Sequence, residues 1–162
     1  MANCQQVLDL LDRIVPFACV AQRDNSGLIV GDPAFPVRKV LMAVDLTDAV
    51  IDEAVRLNCG MIVTHHHIMG KGVKKINPYS FEGRAVMKLL QHQISLVVCH
   101  NNLDFLPGGT ADTLMKAAGV AKTRPLYEGY AFLATTPAEA NAKVIPVPAH
   151  AEGKMDAAFG RV

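Results

Sequence analysis

Residues 39–64, KVLMAVDLTDAVIDEAVRLNCGMIVT, decide the fold. The segment opens on a compact apolar run, Lys39 to Val44, which reads as a buried strand. Thr47 then stands where a helix N-cap belongs, and Asp48 suits the positive end of the helix dipole. Val50, Ile51, Ala54 and Val55 recur at helical spacing and form one buried stripe. Gly60 is expected to end that helix, and Met61 to Thr64 is the next strand. Strand, helix and strand in succession predict a βαβ unit with parallel strands.

The same grammar extends on both sides. Upstream, Val7, Leu10, Leu11 and Ile14 mark a helix over 3–14 with Asn3 as its N-cap. Residues 24–36, DNSGLIVGDPAFP, read as loop, short strand (Leu28 to Val30) and loop. Downstream, Val86, Leu89 and Leu90 share a helical face within 81–92, and Ser95 to Cys99 is another short buried strand. Pro107-Gly108-Gly109 reads as a turn; as an anion cradle, two glycines are a weak signal. Thr110 is expected to cap a helix with Ala111, Leu114, Met115 and Ala118 inward, stopped by Gly119. Beyond it the signal weakens, with a short strand expected at Ala131 to Leu133. The fold class is therefore α/β: a three-layer sandwich around a mainly parallel sheet.

Composition narrows the function. The chain has 162 residues, 51% of them hydrophobic, enough to bury a core. A net charge of +1 with scattered basic residues gives no electrostatic case for nucleic acid or an acidic membrane surface. The densest basic run, Lys71 to Lys75, reads as a solvated loop. No apolar run is long enough to span a bilayer, and no secretory segment is evident. The four cysteines lack the CxxC spacing of zinc or redox motifs. Cys19, Cys59 and Cys99 adjoin apolar segments and read as buried small hydrophobes, which suits a reducing cytoplasm.

Polar chemistry gathers where strands end, the rim on which open parallel sheets bind ligands. Thr64-His65-His66-His67 follows one strand, His100 to Asp104 follows another, and Asp45 follows a third. Imidazole with carboxylate suits zinc, iron, manganese or cobalt. Loop histidines commonly do nothing, but a histidine run facing a carboxylate from a neighbouring strand end favours a metal. Neighbouring side chains on a strand point to opposite faces. His65 and His66 therefore share one site only if the strand has already ended; otherwise they reach two metals, with Asp104 as the candidate bridge. His100 and Asp45 are candidates for orienting the ligands through hydrogen bonds. His92 reads as a surface residue, and His150 is isolated in a proline-rich stretch.

Four segments, DNSGLIVGDP with KVLMAVDLTDAVIDEAV, MIVTHHHI, ISLVVCHNNLD and PGGTADTLMKAAG, together resemble the Nif-three-like family (NGG-interacting factor three). Many bacterial members are labelled GTP cyclohydrolase 1 type 2. The resemblance covers roughly residues 1–120. It implies that His65, His66 and Asp104 hold divalent metal, with two ions in the complete protein, nickel being a further candidate. Proline is usual at position 67, so His67 is not carried over as a ligand, and Asn101 stands where threonine is usual. Members are longer, with a second α/β domain whose His-x-x-x-Glu pair completes a dinuclear site; His150-Ala-Glu152 has the wrong spacing. The resemblance thus implies an N-terminal metal-site domain over 1–125. Residues 126–162 would be a linker or the start of a second half that a truncation ending at Phe159-Gly-Arg-Val162 leaves missing. It further implies a homo-oligomer, often a hexamer, and a hydrolase acting on a nucleotide or phosphate-like small molecule. A non-catalytic metal-binding regulatory or interaction protein, and an inactive fragment, are the alternatives. Nothing in the residues specifies GTP, and no catalytic residue is identified.

Overall fold

The computed structural model describes residues 1–18, 24–69 and 72–120. Its elements, in chain order, are β1 (Ala2–Asn3), α1 (Cys4–Ile14), β2 (Gly27–Val30), β3 (Pro36–Val37), β4 (Val40–Ala43), α2 (Asp48–Arg56), β5 (Met61–Thr64), α3 (Phe81–Gln91), β6 (Ser95–Val98), α4 (Asn101–Phe105) and α5 (Thr110–Ala117). Among the described residues, one compact unit holds 1–14 and 24–100, and a second holds 15–18 and 101–120. The expected strand at Ala131 to Leu133, the boundary at 125/126, and Cys19, Lys71 and His150 lie outside the described residues.

The first unit is built on the predicted βαβ segment. Its sheet runs β2-β6-β5-β4. β4, β5 and β6 are parallel and in register, Val40 beside Met61 and Met61 beside Ser95. β2 joins antiparallel to β6, so the sheet is mixed and mainly parallel. β1 and β3 form a separate antiparallel ribbon. On one face Ile62 and Leu96 pack with Ile51, Ala54, Ala85, Val86 and Leu89 of α2 and α3. On the other face Met61, Val63, Ser95 and Val97 are also buried, as is Cys4 at the start of α1. Burial on both faces is what a parallel sheet with continuous apolar strands requires.

Local chemistry sets the helix ends. Asn3 and Gln6 cap α1 reciprocally: the Asn3 side chain accepts from Gln6 N–H at 2.9 Å, and the Gln6 side chain accepts from Asn3 N–H at 3.1 Å. Thr47 caps α2 by accepting from Val50 N–H at 3.2 Å, and Ser80 caps α3 by accepting from Gly83 N–H at 3.1 Å. α2, α3 and α5 all close in a Schellman motif. In α2, Cys59 N–H reaches the Ala54 carbonyl at 2.9 Å and Asn58 N–H reaches Val55 at 3.1 Å. The left-handed position there is Asn58, at φ 56°, and in α3 it is Gln93, at φ 54°.

Four expectations need correction. Gly60 does not end α2, because Asn58 already takes the left-handed turn. Gly60 is needed for another reason: a Cβ on it would sit 2.2 Å from the Pro36 carbonyl oxygen. β4 is not a buried strand but an edge strand. Leu41 packs inward, whereas Met42 and Val44 on the other face are 73% and 61% exposed. Thr110 is the first residue of α5, not its cap. Gly109 occupies the cap without a side-chain bond, and the Thr110 hydroxyl donates to Asp104 instead. Finally, two residues expected inward on α5 are exposed, Leu114 and Ala118, and Leu10 and Ile14 of the α1 stripe and Leu90 of the α3 face are exposed as well. Each lies on a helical stripe wider than the surface its helix covers among the described residues. No helix of the described residues is long and apolar enough to cross a membrane.

Candidate metal centre

β4, β5 and β6 end side by side, and the chain leaves all three on the same rim. At the end of β5 the strand stops at Thr64. The backbone N–H groups of both His65 and His66 then donate to a single carbonyl, that of Val44, at 3.1 and 3.0 Å. Thr64 closes the turn, its hydroxyl donating to the His66 carbonyl at 2.9 Å. With the strand ended, adjacent side chains are no longer held on opposite faces. The His65 and His66 rings accordingly lie on one side, centroids 4.8 Å apart.

His100 enters from the end of β6, with ring centroids 5.1 Å from His65 and 5.8 Å from His66. One ligand-capable atom from each of the three histidines lies within 4.8 Å of the others. Each imidazole is held at Nδ1. His65 Nδ1 lies 3.0 Å from the Cys99 carbonyl oxygen, His66 Nδ1 lies 2.7 Å from Asp45 Oδ1, and His100 Nδ1 lies 2.5 Å from Asp24 Oδ1. Carbonyl and carboxylate oxygens only accept, so Nδ1 is the donor in each pair and the ring lone pair sits on Nε2. That is the arrangement metal-binding histidines adopt, the far nitrogen fixing the tautomer while the near one coordinates.

The donor chemistry fits a divalent ion. Nitrogen–metal bonds of about 2.0–2.1 Å place tetrahedral donors about 3.4 Å apart, within the 4.8 Å that bounds the present spacing. Cys99 is not among the clustered donor atoms; its thiol is buried, which pushes it up to about 11.

The other residues singled out from sequence are placed as follows. Asp45, just past β4, faces His66. Asp104 lies in the second unit, on α4, accepting from the Thr110 hydroxyl. Pro107 to Gly109 form the turn before α5, where Gly108 N–H donates to Asp112 at 2.6 Å. His92 is the exposed C-cap of α3. His67, set aside on sequence, lies 5.2 Å from His100 between ring centroids. Asp24 and Ser26 were missed on sequence. They lie in a run of turn formers, and only the antiparallel pairing of β2 with β6 carries them to the His100 end. The signal available was a carboxylate three residues before a short apolar strand.

A model of the family Duf34/NIF3 (NGG1p interacting factor 3) matches residues 2–157. This chain belongs to the Duf34/NIF3 family. A curated Staphylococcus aureus family relative named GTP cyclohydrolase 1 type 2 homolog is 39% identical over 114 residues, covering 70% of this chain and 31% of that protein. A Bacillus subtilis relative of the same name is 32% identical over 158 residues, 98% of this chain and 41% of the relative. The crystal structure of a Bacillus cereus protein related to NIF3 superposes with a TM-score of 0.73 at 31% identity, covering 78% of this chain and 36% of that one. The chain thus spans between about a third and two fifths of the length of these NIF3 relatives.

Proposed function

We propose that this chain supplies part of a divalent-metal centre, held by His65, His66 and Asp104, in a metal-dependent hydrolase of the GTP cyclohydrolase 1 type 2 kind. The observation that carries the reading is the convergence of three imidazoles, each with Nδ1 engaged and its lone pair on Nε2. His65 and His66 present two donors from one turn, Asp45 and the Cys99 carbonyl hold their rings, and Asp104 adds the anionic oxygen. His100 either orients this set or joins it. A bound ion of this class, one or two in the complete protein, would acidify water and polarise a phosphoryl or carbonyl oxygen. The substrate class is a nucleotide or another phosphate-bearing small molecule, as the names of the relatives suggest.

A cytoplasmic homo-oligomer accompanies this reading. The exposed Met42 and Val44 on the edge strand form an apolar strip suited to association, and light scattering on the purified chain tests it. The centre itself is tested by metal content and turnover. The wild-type chain should retain zinc, cobalt or manganese after dialysis, and a His65→Ala/His66→Ala double variant should retain far less. Equal metal content in the two proteins overturns the centre. Metal retention without turnover of any nucleotide, by a full-length relative, overturns the hydrolase and leaves a non-catalytic metal-binding protein.

A further inference from the structure

A second cluster adjoins the three-histidine group and is drawn from different elements of the same unit. Asp24 precedes β2, His67 lies beyond the turn after β5, and His100 follows β6. One ligand-capable atom of each lies within 4.8 Å of the other two. Two features of the cluster lack a counterpart. The Asp24 side chain is only 1% exposed. It accepts from Ser26 Oγ at 2.5 Å and from His100 Nδ1 at 2.5 Å, with no lysine or arginine paired to it among the described residues. Burying a carboxylate is costly without compensating positive charge. His67 Nδ1 is shut off from solvent and has no hydrogen-bond partner among the described residues. Buried ring nitrogens are ordinarily bonded, so an orphan calls for a partner.

We propose that Asp24, His67 and His100 form a second divalent-cation position beside the first, suited to a borderline ion such as zinc or cobalt. One cation supplies both missing counterparts: positive charge for the Asp24 carboxylate and a partner for the His67 ring. Two imidazoles and one carboxylate, with solvent filling the remaining positions, are a donor set that such ions accept. His100 links the two positions. Its Nδ1 proton now bridges to Asp24; when a cation enters there, the neutral ring keeps one proton, moved from Nδ1 to Nε2. The lone pair then faces Asp24 and His67 and is withdrawn from His65 and His66. The two positions therefore compete for His100, and filling one weakens the other. This goes beyond the centre proposed above and does not need Asp104.

The test is a titration of the metal-stripped 162-residue chain with cobalt(II), followed by visible absorption and by metal counts after equilibrium dialysis. Wild type should take up a tighter and a weaker equivalent. His67→Ala and His67→Gln should lose one equivalent and keep the other, with circular dichroism unchanged. The His65→Ala/His66→Ala protein should keep the His67-dependent equivalent. The proposal is overturned if both His67 variants match wild type in stoichiometry and in each affinity.

Discussion

His66 and Asp45 meet across the ends of two adjacent parallel strands, Nδ1 to Oδ1 at 2.7 Å. The pair is half exposed, so its Coulomb contribution to stability is small. Its use is directional: the carboxylate fixes which ring nitrogen carries the proton and where the other one points. Asp45→Asn should therefore leave the melting temperature nearly unchanged and weaken metal binding about 10- to 100-fold. Competition with a chromogenic chelator measures this; an unchanged affinity would show that the ring is oriented by something else.

Gly83 stands in the first turn of α3, where alanine would ordinarily be preferred by up to about 1 kcal/mol. Here a Cβ would lie 2.0 Å from the Asn77 carbonyl oxygen. Gly83→Ala should therefore destabilise the fold, by about 1–3 kcal/mol as overpacking does. Urea denaturation reads the sign directly, and a stabilised variant would mean that the Asn77 loop moves aside at little cost.

Gln93 is the left-handed residue of the α3 Schellman motif, at φ 54°. A side chain costs about 1–2 kcal/mol in that conformation. Gln93→Gly relieves the strain at an exposed position and loses part of the gain to unfolded-chain entropy. The expected net is about 1 kcal/mol of added stability, seen as a rise in the urea midpoint with unchanged slope.

Cys4 is fully buried beneath α1, and burial raises its thiol above the ordinary range. Both effects suppress the thiolate that reacts with iodoacetamide. At pH 8 the native protein should modify Cys4 only as fast as it opens, while the urea-unfolded protein reacts at once; peptide mass mapping separates Cys4 from the other cysteines. Rapid labelling in the native state would place Cys4 at the surface.

The βαβ core was legible because two short continuous apolar runs flank a stripe of 3.6-residue period in one short segment. The His65-His66 pair was legible because a histidine run is rare and sits directly after an apolar strand. Exposure was harder to read. The run of Val40, Met42 and Val44 looks the same in a central strand and at an edge, since strand order is decided by residues far away. Asp24 and Ser26 were illegible for a related reason. They reach the His100 end through the antiparallel pairing of Gly27 with Val98, a contact 71 positions apart in sequence, and no local pattern encodes it. Thr110 misled because a threonine before an apolar run suits an N-cap, whereas its hydroxyl is taken by Asp104.

The Val44 carbonyl that receives both His65 and His66 N–H groups has a further consequence. The two imidazoles are mounted on main-chain bonds that neither side chain helps to form. Replacing either ring leaves its mounting intact, so this position can exchange one chelating residue for another, or lose it, without disturbing the scaffold. A rim built this way lets coordination chemistry drift independently of folding.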